Sequence, residues 1–215
     1  MRSKNRPVGQ KTSSFIEEAR RRQIIEAAIE VIARSGYPGA SLAKVAAHAK
    51  ISKSIISYHF SGKDELLEET VHQIYEDIWA SIGPRFRAER TAAGQLRAFI
   101  EAEFAYLEKN RARLLTVGHI LMNHRDRRGR LALHEESERQ TLQMLGGILL
   151  QGQKAGEFRD FAVLPMATTL VHSINGALGH WAANPELSLT DYARELVTIF
   201  DLATRKQPAP RTRRG

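Results

Sequence analysis

The chain has 215 residues, enough for one large domain or for a small and a medium one with a hydrophobic core. The absence of cysteine excludes disulfide frameworks, cysteine-ligated zinc sites and cysteine nucleophiles. The net charge of +8 is unevenly distributed, because residues 1–63 hold 12 basic and 4 acidic residues while residues 64–204 hold 15 basic and 20 acidic ones. This asymmetry indicates that the first part of the chain binds phosphate groups and that the remainder does not. The alternative is a basic tail that only aids solubility.

Segments that direct a chain to a membrane are not evident in the sequence. No apolar run approaches the roughly 18 residues of a membrane span. The basic residues at the N-terminus are not followed by the apolar stretch of a signal peptide. We therefore expect a cytoplasmic location and no membrane partner.

The N-terminal residues predict a basic arm and a first helix. Residues 1–13 are polar and basic, and we expect them to form a disordered arm. Ser14 and Glu17 have the spacing of a capping box and predict the start of a helix. Gly36 predicts the end of that helix, because glycine favours the turn that follows.

Two short helices are predicted next. Ser41 and Ser52 are each placed to cap a helix with the side-chain oxygen, and residues 49–51 form the turn between the two helices. The second helix covers residues 53–60. Two short helices joined by a turn of three or four residues are typical of a helix-turn-helix, so we interpret residues 14–62 as a DNA-binding domain of that kind.

The remainder of the chain predicts helices and no alternating strand pattern. A fourth helix is expected to break at Gly83-Pro84. Further helices are predicted over residues 92–108, 110–123, 130–155, 163–183 and 189–204. The fold class is therefore all-α with about nine helices. Residues 63–205 form a helical regulatory and dimerisation domain, and residues 206–215, rich in Pro and Arg, form a disordered basic tail.

The outer side of the second short helix suits contact with DNA. Ile55, Ile56 and Phe60 are expected to face inward. The residues left for the outer side are cationic, hydroxyl-bearing or aromatic: Lys53, Ser54, Ser57, Tyr58 and His59. Such side chains can bind phosphates and base edges when a helix lies in the major groove. The alternative is a small amphipathic helix with a solvated face.

The same region resembles the TetR (tetracycline-repressor-like) family. The resemblance lies in Gly36-Tyr37, Ser41-Leu42, Val45-Ala46 and the continuous run Ile-Ser-Lys-Ser-Ile-Ile-Ser-Tyr-His-Phe-Ser-Gly-Lys-Asp-Glu-Leu at residues 51–66. It covers about 50 residues, and the order of the predicted helices is also similar. The C-terminal half carries no motif of the whole family, so the resemblance implies nothing about the class of ligand.

The resemblance implies a role for individual residues of this chain. Ser41 and Lys63 would contact phosphates, and Tyr58 and His59 would contact the DNA backbone. The residues that open the recognition helix and would lie at the groove are Ser52, Lys53 and Ser54. Ser57 departs from the family pattern, in which an aromatic residue is frequent, and Ser54 stands where glycine is frequent. The base that Ser57 would contact therefore stays open. For Lys63, the alternative is a solvated surface lysine.

The last two helices combine large apolar residues with glycines, which suits a four-helix contact between two copies of the chain. The residues predicted to form this interface are Leu170, Ile174, Ala177, Trp181, Leu196 and Phe200. Gly176 and Gly179 would permit close backbone approach, either to a second chain or within the same chain. Gly146 and Gly147 in the seventh helix predict a kink or a close contact. The resemblance implies a homodimer.

A ligand pocket is expected among helices four to eight. Its predicted lining combines aromatic and polar side chains: Trp79, Phe104, His119, Met122, His172 and Asn175. An apolar cavity with a few polar groups is what a small-molecule site needs. The alternative for each of these residues is an ordinary place in the core.

Motifs of catalysis are not evident. The sequence has no glycine-rich phosphate loop, no H-E-x-x-H and no G-x-S-x-G. His119 and His124 are five residues apart and do not share a helix face, so they are not expected to bind a metal. We expect no enzyme activity, no cofactor and no metal.

Two interpretations of function remain. The first is a homodimeric repressor that a small apolar effector releases from a palindromic double-stranded DNA operator. The second is a regulator or activator that senses no ligand and acts through protein contacts. A buried cavity above about 300 Å³ would favour the first, and a filled core would favour the second.

Overall fold

The computed structural model describes residues 8–206, with side chains from residue 15 on. The described residues form nine α-helices and no strand beyond an isolated bridge between Phe158 and Arg205. The helices are α1 (Val8–Gly39), α2 (Leu42–Ala49), α3 (Lys53–His59), α4 (Lys63–Ala88), α5 (Ala92–Lys109), α6 (Arg111–Asn123), α7 (Ala132–Lys154), α8 (Val163–Ala183) and α9 (Leu189–Thr204). The predicted all-α fold is confirmed. The predicted disordered tail lies outside the described residues except for Lys206, and so do the first seven residues of the predicted arm.

Helix α1 differs from its prediction at one end and agrees at the other. It begins at Val8, so Ser14 lies inside the helix, and the prediction of a cap at Ser14 and of an arm reaching residue 13 is wrong. No proline between Val8 and Ser14 stops the helix. Gly36, with φ of 67° and ψ of 174°, interrupts the helical backbone as predicted.

The described chain divides into two compact units that are not continuous in sequence. The first, here called the head unit, contains the residues up to Glu76 together with Ala112–Leu133. The second, here called the core unit, contains Asp77–Arg111 and the residues from His134 on. Helix α6 and the first half of α4 therefore group with the helix-turn-helix, whereas the sequence predicted a single boundary at residue 62.

The head unit is built on α1, which packs against α2, α3 and α6. Ile24, Ile29 and Ile32 of α1 are at most 2% exposed. Two polar contacts join α6 to α1. The hydroxyl of Thr116 donates to the backbone oxygen of Ile29 at 3.0 Å, and the guanidinium of Arg113 donates to the Glu26 carboxylate at 2.8 Å.

Helix α4 continues past the predicted break at Gly83-Pro84 and ends at Ala88, so that prediction is wrong. Ile82 is fully buried beside the proline, and the rings of Trp79 and Phe86 meet edge to face with centroids 5.8 Å apart. These contacts span the proline and offset the backbone hydrogen bond that it cannot make.

The core unit contains α5, α7, α8 and α9, with α9 packed against both α5 and α8. The bounds of α8 and α9 agree with the predicted ones. The ring of Phe158 packs directly against the backbone of Gly152, where an added Cβ would lie 2.2 Å from Cδ2 of that ring. An added Cβ at Gly146 would be 3.7 Å from Val163, and one at Gly147 would meet nothing within 4 Å. The prediction of a close contact at these two glycines is therefore wrong.

None of the described helices combines the length and the apolar character that a membrane span requires.

Candidate nucleic-acid interface

Serine side chains cap the two short helices as predicted. The hydroxyl of Ser41 accepts from the backbone N–H of Lys44 at 3.3 Å, which starts α2. The hydroxyl of Ser52 accepts from the N–H of Ile55 at 3.4 Å, and the hydroxyls of Ser52 and Ser54 are 2.7 Å apart. These caps satisfy backbone donors that a helix start leaves free.

The turn between α2 and α3 places a non-glycine residue in the left-handed region. Lys50 has φ of 56° and ψ of 42° and ends α2. Its N–H donates to the backbone oxygen of Ala47 at 3.2 Å, and that of Ile51 donates to Ala46 at 3.0 Å. The two hydrogen bonds fix the direction in which α3 leaves the turn.

Helix α3 has the inner and outer sides that the sequence predicts. Ile56 is fully buried and Phe60 is 1% exposed, so both pack in the interior as predicted, whereas Ile55 is only half-buried. The side chains exposed on the other side are Lys53, Ser54, Ser57 and Tyr58. Tyr58 is 75% exposed, and the half-buried His59 ring meets it edge to face with centroids 5.0 Å apart. The outer side thus presents a cation, hydroxyls and an aromatic ring to solvent.

Arg21 of α1 holds the end of α3 in place, a role that the sequence did not reveal. Its guanidinium donates to the backbone oxygen of His59 and lies 4.4 Å above the ring of Phe60. It also pairs with the carboxylate of Glu69 on α4 at 3.3 Å. One side chain therefore connects three elements. Its neighbours in the sequence are also arginines, so no pattern distinguishes it.

The carboxylate of Glu65 completes the junction between α3 and α4. It accepts from the backbone N–H of Ser61 at 2.7 Å and lies 3.9 Å from the Arg21 guanidinium. The hydrogen bonds from Ser61 hold the pKa of Glu65 below its ordinary value, with a smaller contribution from the charge of Arg21. The carboxylate therefore stays ionised and keeps the start of α4 tied to the end of α3.

Lys63 is held by Tyr37, and the alternative of a freely solvated lysine does not describe it. Its ammonium donates to the backbone oxygen of Tyr37 at 3.4 Å and lies 4.7 Å from the centroid of the Tyr37 ring. The Tyr37 hydroxyl lies 3.4 Å from Nδ1 of His124, and Nε2 of His124 lies 3.4 Å from the Glu68 carboxylate. Burial, aided by the charge of Asp64, raises the pKa of Tyr37, so its hydroxyl remains protonated.

The six residues predicted to form a dimer interface are buried in their own chain. Their exposed fractions are at most 9%: Leu170, Ile174, Ala177, Trp181, Leu196 and Phe200. The prediction is therefore wrong as to the face of each helix, because a side chain already packed against α5, α8 or α9 has no surface left for a partner. Periodicity finds the apolar face of a helix but does not distinguish a core from an interface.

The opposite faces of α8 and α9 are exposed. A Cβ added at Gly176 or Gly179 would contact nothing within 4 Å. A close approach within the same chain therefore does not explain these glycines. On α9, Ile199 is 52% exposed and Leu202 is 56% exposed. The two helices thus present small and apolar residues to solvent.

The six residues predicted to line a ligand pocket are divided between the two units, four in the core unit and two in the head unit. Phe104 is 1% exposed in the core, whereas Met122 is 62% exposed and Trp79 is 43% exposed. His172 and Asn175 are exposed on α8, and Nε2 of His172 lies 3.0 Å from the Glu138 carboxylate. His119 lies beside Gly36 in the head unit. A lining shared by all six residues stays a prediction, since aromatic and polar residues at helical spacing occupy core and surface positions alike.

A cleft between α5 and α9 has a volume of about 20 Å³ and is lined by Leu96, Ile100 and Phe200, among others. This is room for about one water molecule, far below the roughly 300 Å³ of a typical ligand site. Groups of three or more residues able to hold a metal ion are absent among the described residues.

Glu103 lies on the buried face of α5. Phe99 and Leu107, one turn away on either side, are at most 6% exposed. Its carboxyl oxygen Oε2 is buried without a hydrogen-bond partner, although the residue as a whole keeps some accessible surface. Burial raises the pKa of Glu103 to about 7. Glu103 is not among the residues predicted from the sequence, although its spacing places it on one apolar stripe with Phe99 and Leu107.

These features define an all-α protein whose N-terminal helix-turn-helix presents a basic and hydroxyl-bearing face. The family described as "Bacterial regulatory proteins, tetR family" matches residues 24–70, from α1 into α4. The HTH-type transcriptional regulator BetI of Burkholderia ambifaria is 40% identical over 90 residues, which are 41% of this chain and 46% of that protein. The chain thus spans about half the length of the curated relatives that it matches.

Solved structures share the fold over most of the chain. A TetR family transcription regulator from Marinobacter aquaeolei superposes with a TM-score of 0.72 and 13% identity, covering 90% of this chain and 100% of that one. The regulator FadR from Bacillus subtilis, solved in complex with stearoyl-CoA, gives a TM-score of 0.70 and 23% identity, covering 82% of this chain and 95% of that one. The N-terminal part of the chain is thus similar to the TetR family of bacterial regulatory proteins, and most of the chain shares the fold of the solved regulators.

Proposed function

We propose that the chain is a transcription regulator that binds double-stranded DNA through the head unit. Helix α3 lies in the major groove, with Lys53 and Ser54 of its first turn and Ser57 of its second at base edges. Ser41, Tyr58, His59 and Lys63 contact the phosphate backbone, as do the N-termini of the short helices.

The exposed outer side of α3 is the observation that carries this proposal. Its cation, hydroxyls and aromatic ring are displayed on a helix whose start is capped by Ser52 and whose end is held by Arg21. A helix fixed at both ends can present side chains in one register to the groove. The basic first part of the sequence supplies the charge that phosphate requires.

The proposal includes a homodimer formed by the exposed faces of α8 and α9. Gly176 and Gly179 allow two backbones to approach, and Ile199 and Leu202 supply apolar surface that a second copy covers. A two-fold dimer addresses a palindromic operator whose half-sites are about 34–36 Å apart.

A repressor of this kind is released when an effector favours a state that fits DNA poorly. FadR, which shares the fold, was solved with stearoyl-CoA, and this supports an apolar effector for the present chain. The cleft between α5 and α9 is too small for such a molecule. We therefore propose that the effector binds a state of the core with a larger cavity. The rival proposal, a regulator or activator without a ligand, is favoured by the small volume of that cleft.

The DNA proposal is tested by selecting bound duplexes from a random pool and comparing two variants. Lys63→Ala is expected to weaken binding about equally on all sequences, because a phosphate contact carries no base information. Lys53→Ala is expected to change the preferred base at one position by about 1–3 kcal/mol. Lys154→Ala, an exposed lysine in the core unit, is the matched control and should change neither. Wild-type binding that is indifferent to salt would contradict the proposal.

The dimer proposal is tested with a pair of exposed helical glycines, neither of which meets a neighbour within its own chain. Gly179→Glu is expected to yield monomers, because it places a charge in the proposed interface. Gly147→Glu on α7 adds the same side chain outside that interface and should remain dimeric. Sedimentation at micromolar concentration gives the answer, and a monomeric wild type would refute the dimer.

The effector proposal is tested by a thermal-shift screen of diverse small molecules followed by operator binding with each hit. A ligand should raise stability by about 2.7 kcal/mol at a hundredfold excess over its dissociation constant. A true effector must also lower operator affinity, by roughly 5- to 150-fold for a coupling of about 1–3 kcal/mol. Hits that stabilise the protein and leave DNA affinity unchanged would favour the ligand-free regulator.

A further inference from the structure

The turn between α6 and α7 is strongly basic and belongs to the head unit. Within six residues it contains Arg125, Arg127, Arg128 and Arg130, with Asp126 as its acid. All four arginines are exposed. The turn has no role in the interface described above.

Asp126 gives this turn a fixed shape. Its Oδ1 accepts from the backbone N–H groups of Arg128 at 2.8 Å and Arg130 at 2.9 Å, and its Oδ2 accepts from the Arg130 guanidinium at 3.1 Å. The hydrogen bond from the backbone of Arg130, followed by that from Arg128, holds the pKa of Asp126 below its ordinary value. Gly129, with φ of 77°, completes the turn in a conformation that favours glycine.

The same contacts divide the arginines into two pairs. Arg130 is neutralised by Asp126, and the Arg125 guanidinium donates to the backbone oxygen of Gly129 at 3.1 Å. Arg127 and Arg128 have no acidic partner among the described residues. A turn that is locked by one acid and leaves two guanidinium groups free is more ordered than a solvated charge run, so its cations keep a defined position.

The turn is anchored close to Lys63. His124, which precedes it, is 4% exposed and contacts both Tyr37 and Glu68 at 3.4 Å. Tyr37 also holds Lys63, and Glu68 lies about 7.5 Å along α4 from Lys63, at 1.5 Å per residue. Arg127 is three residues beyond His124, so the two are separated by at most about 11 Å.

We propose that Arg127 and Arg128 bind DNA phosphates beyond those that α3 and Lys63 reach, so that the turn forms an additional backbone contact of the head unit. The inference rests on the proposed DNA-binding function. Duplex DNA carries a charge every 1.7 Å or so along its axis, so further phosphates lie beside those at Lys63. Guanidinium groups match phosphate in a bidentate manner, and the turn has no exposed apolar side chain that a protein partner would bury.

The test compares two double variants that lose the same charge. R127A/R128A removes the free arginines and leaves Asp126 to form the turn. R90A/R97A, two exposed arginines of the core unit, is the matched control. Affinity for a selected duplex is measured against salt concentration. Each lost phosphate contact should reduce the slope of log affinity against log salt by about 0.9 and the affinity at about 0.1 M salt by roughly tenfold.

The expected result is a reduced slope for R127A/R128A and an unchanged slope for R90A/R97A. R127K/R128K keeps the charge and should retain most of the slope, which guards against a folding defect in the alanine variant. Equal slopes for wild type and R127A/R128A would overturn the inference while Lys63→Ala still weakens binding. Absence of salt-dependent binding by the wild type would instead overturn the proposed function.

Discussion

The head unit and the core unit both have an apolar interior and differ in the polar groups beside it. In the head unit, polar side chains cross between helices. Arg21 links α1, α3 and α4, and the amide of Gln23 donates to the backbone oxygen of Ala49 at 3.1 Å. In the core unit, Leu149 and Leu170 are fully buried, as Ile24 and Ile56 are in the head unit. A buried carboxyl oxygen there, that of Glu103, has no partner.

This difference separates two physical requirements. Hydrogen bonds are directional and fix the position of surface groups, which the proposed DNA contact requires. Apolar burial is non-directional and sets stability, and a core held in this way tolerates repacking. The head unit therefore adds directional contacts around α3 to its apolar interior, whereas the core unit contains a buried carboxyl oxygen without a partner.

The largest expected effect concerns the acid that departs from the apolar character of the core unit. Burial raises the pKa of Glu103 from 4.5 to about 7, so the folded state holds the proton more tightly than the unfolded chain. The stability that this proton provides is present below about pH 4.5 and is lost as the pH rises through about 7. Glu103→Gln should be more stable than wild type at pH 8, by up to about 3 kcal/mol.

Denaturant unfolding at several pH values measures this effect. The free energy of unfolding of wild type should fall between pH 5 and 7 or so, and that of Glu103→Gln should fall less. Glu108→Gln, an exposed acid on the same helix, is the control and should follow the wild-type curve. Parallel curves for wild type and Glu103→Gln would show that the carboxyl finds a partner in solution.

The second prediction tests how completely the core unit is filled. Gly152→Ala should lower the free energy of unfolding by about 1–3 kcal/mol, because its Cβ would overlap the buried ring of Phe158. Gly147→Ala, on the same helix but with open space around it, should instead raise stability by up to about 1 kcal/mol through helix propensity. Urea unfolding of both variants compares them directly. An unchanged free energy of unfolding for Gly152→Ala would show that the core beside Gly152 can accommodate an added methyl group.

The smallest expected effect lies in the head unit. Lys50→Gly should raise the free energy of unfolding by about 1 kcal/mol or less. Glycine removes the cost of a left-handed backbone, and the larger conformational entropy that glycine loses on folding offsets part of this gain. Lys50→Ala removes the same charge and keeps the strain, so it should show no gain. If both variants change stability alike, the charge of Lys50 matters and its conformation does not.

Much of the head unit could be predicted because its signals are local. A serine before a short helix predicts a cap, and Ser41 and Ser52 both act as caps. The alternation of buried and exposed positions on α3 also follows from helical spacing. The role of Arg21 could not be predicted, because its partners lie 38 or more residues away and any arginine of its run could have served.

In the core unit, the sequence predicted where the helices begin and end but not which side of each helix is buried. The bounds of α8 and α9 follow from local breakers such as Asn184-Pro185. Whether Leu170 meets its own chain or a second one depends on long-range packing that periodicity does not encode. Glycines carried the better signal, since Gly176 and Gly179 on an exposed helix face have no intrachain reason to be small.

The contact between Arg21 and α3 has a consequence for exchanging the specificity of such proteins. Arg21 binds the backbone oxygen of His59, a group that every amino acid possesses, and not its side chain. The contact that supports α3 therefore does not depend on which side chains α3 exposes. Under the proposed DNA contact, substitutions at Lys53, Ser54 and Ser57 are expected to alter the sequence that is read and to leave the support behind the helix intact, so that new preferences arise without rebuilding the scaffold.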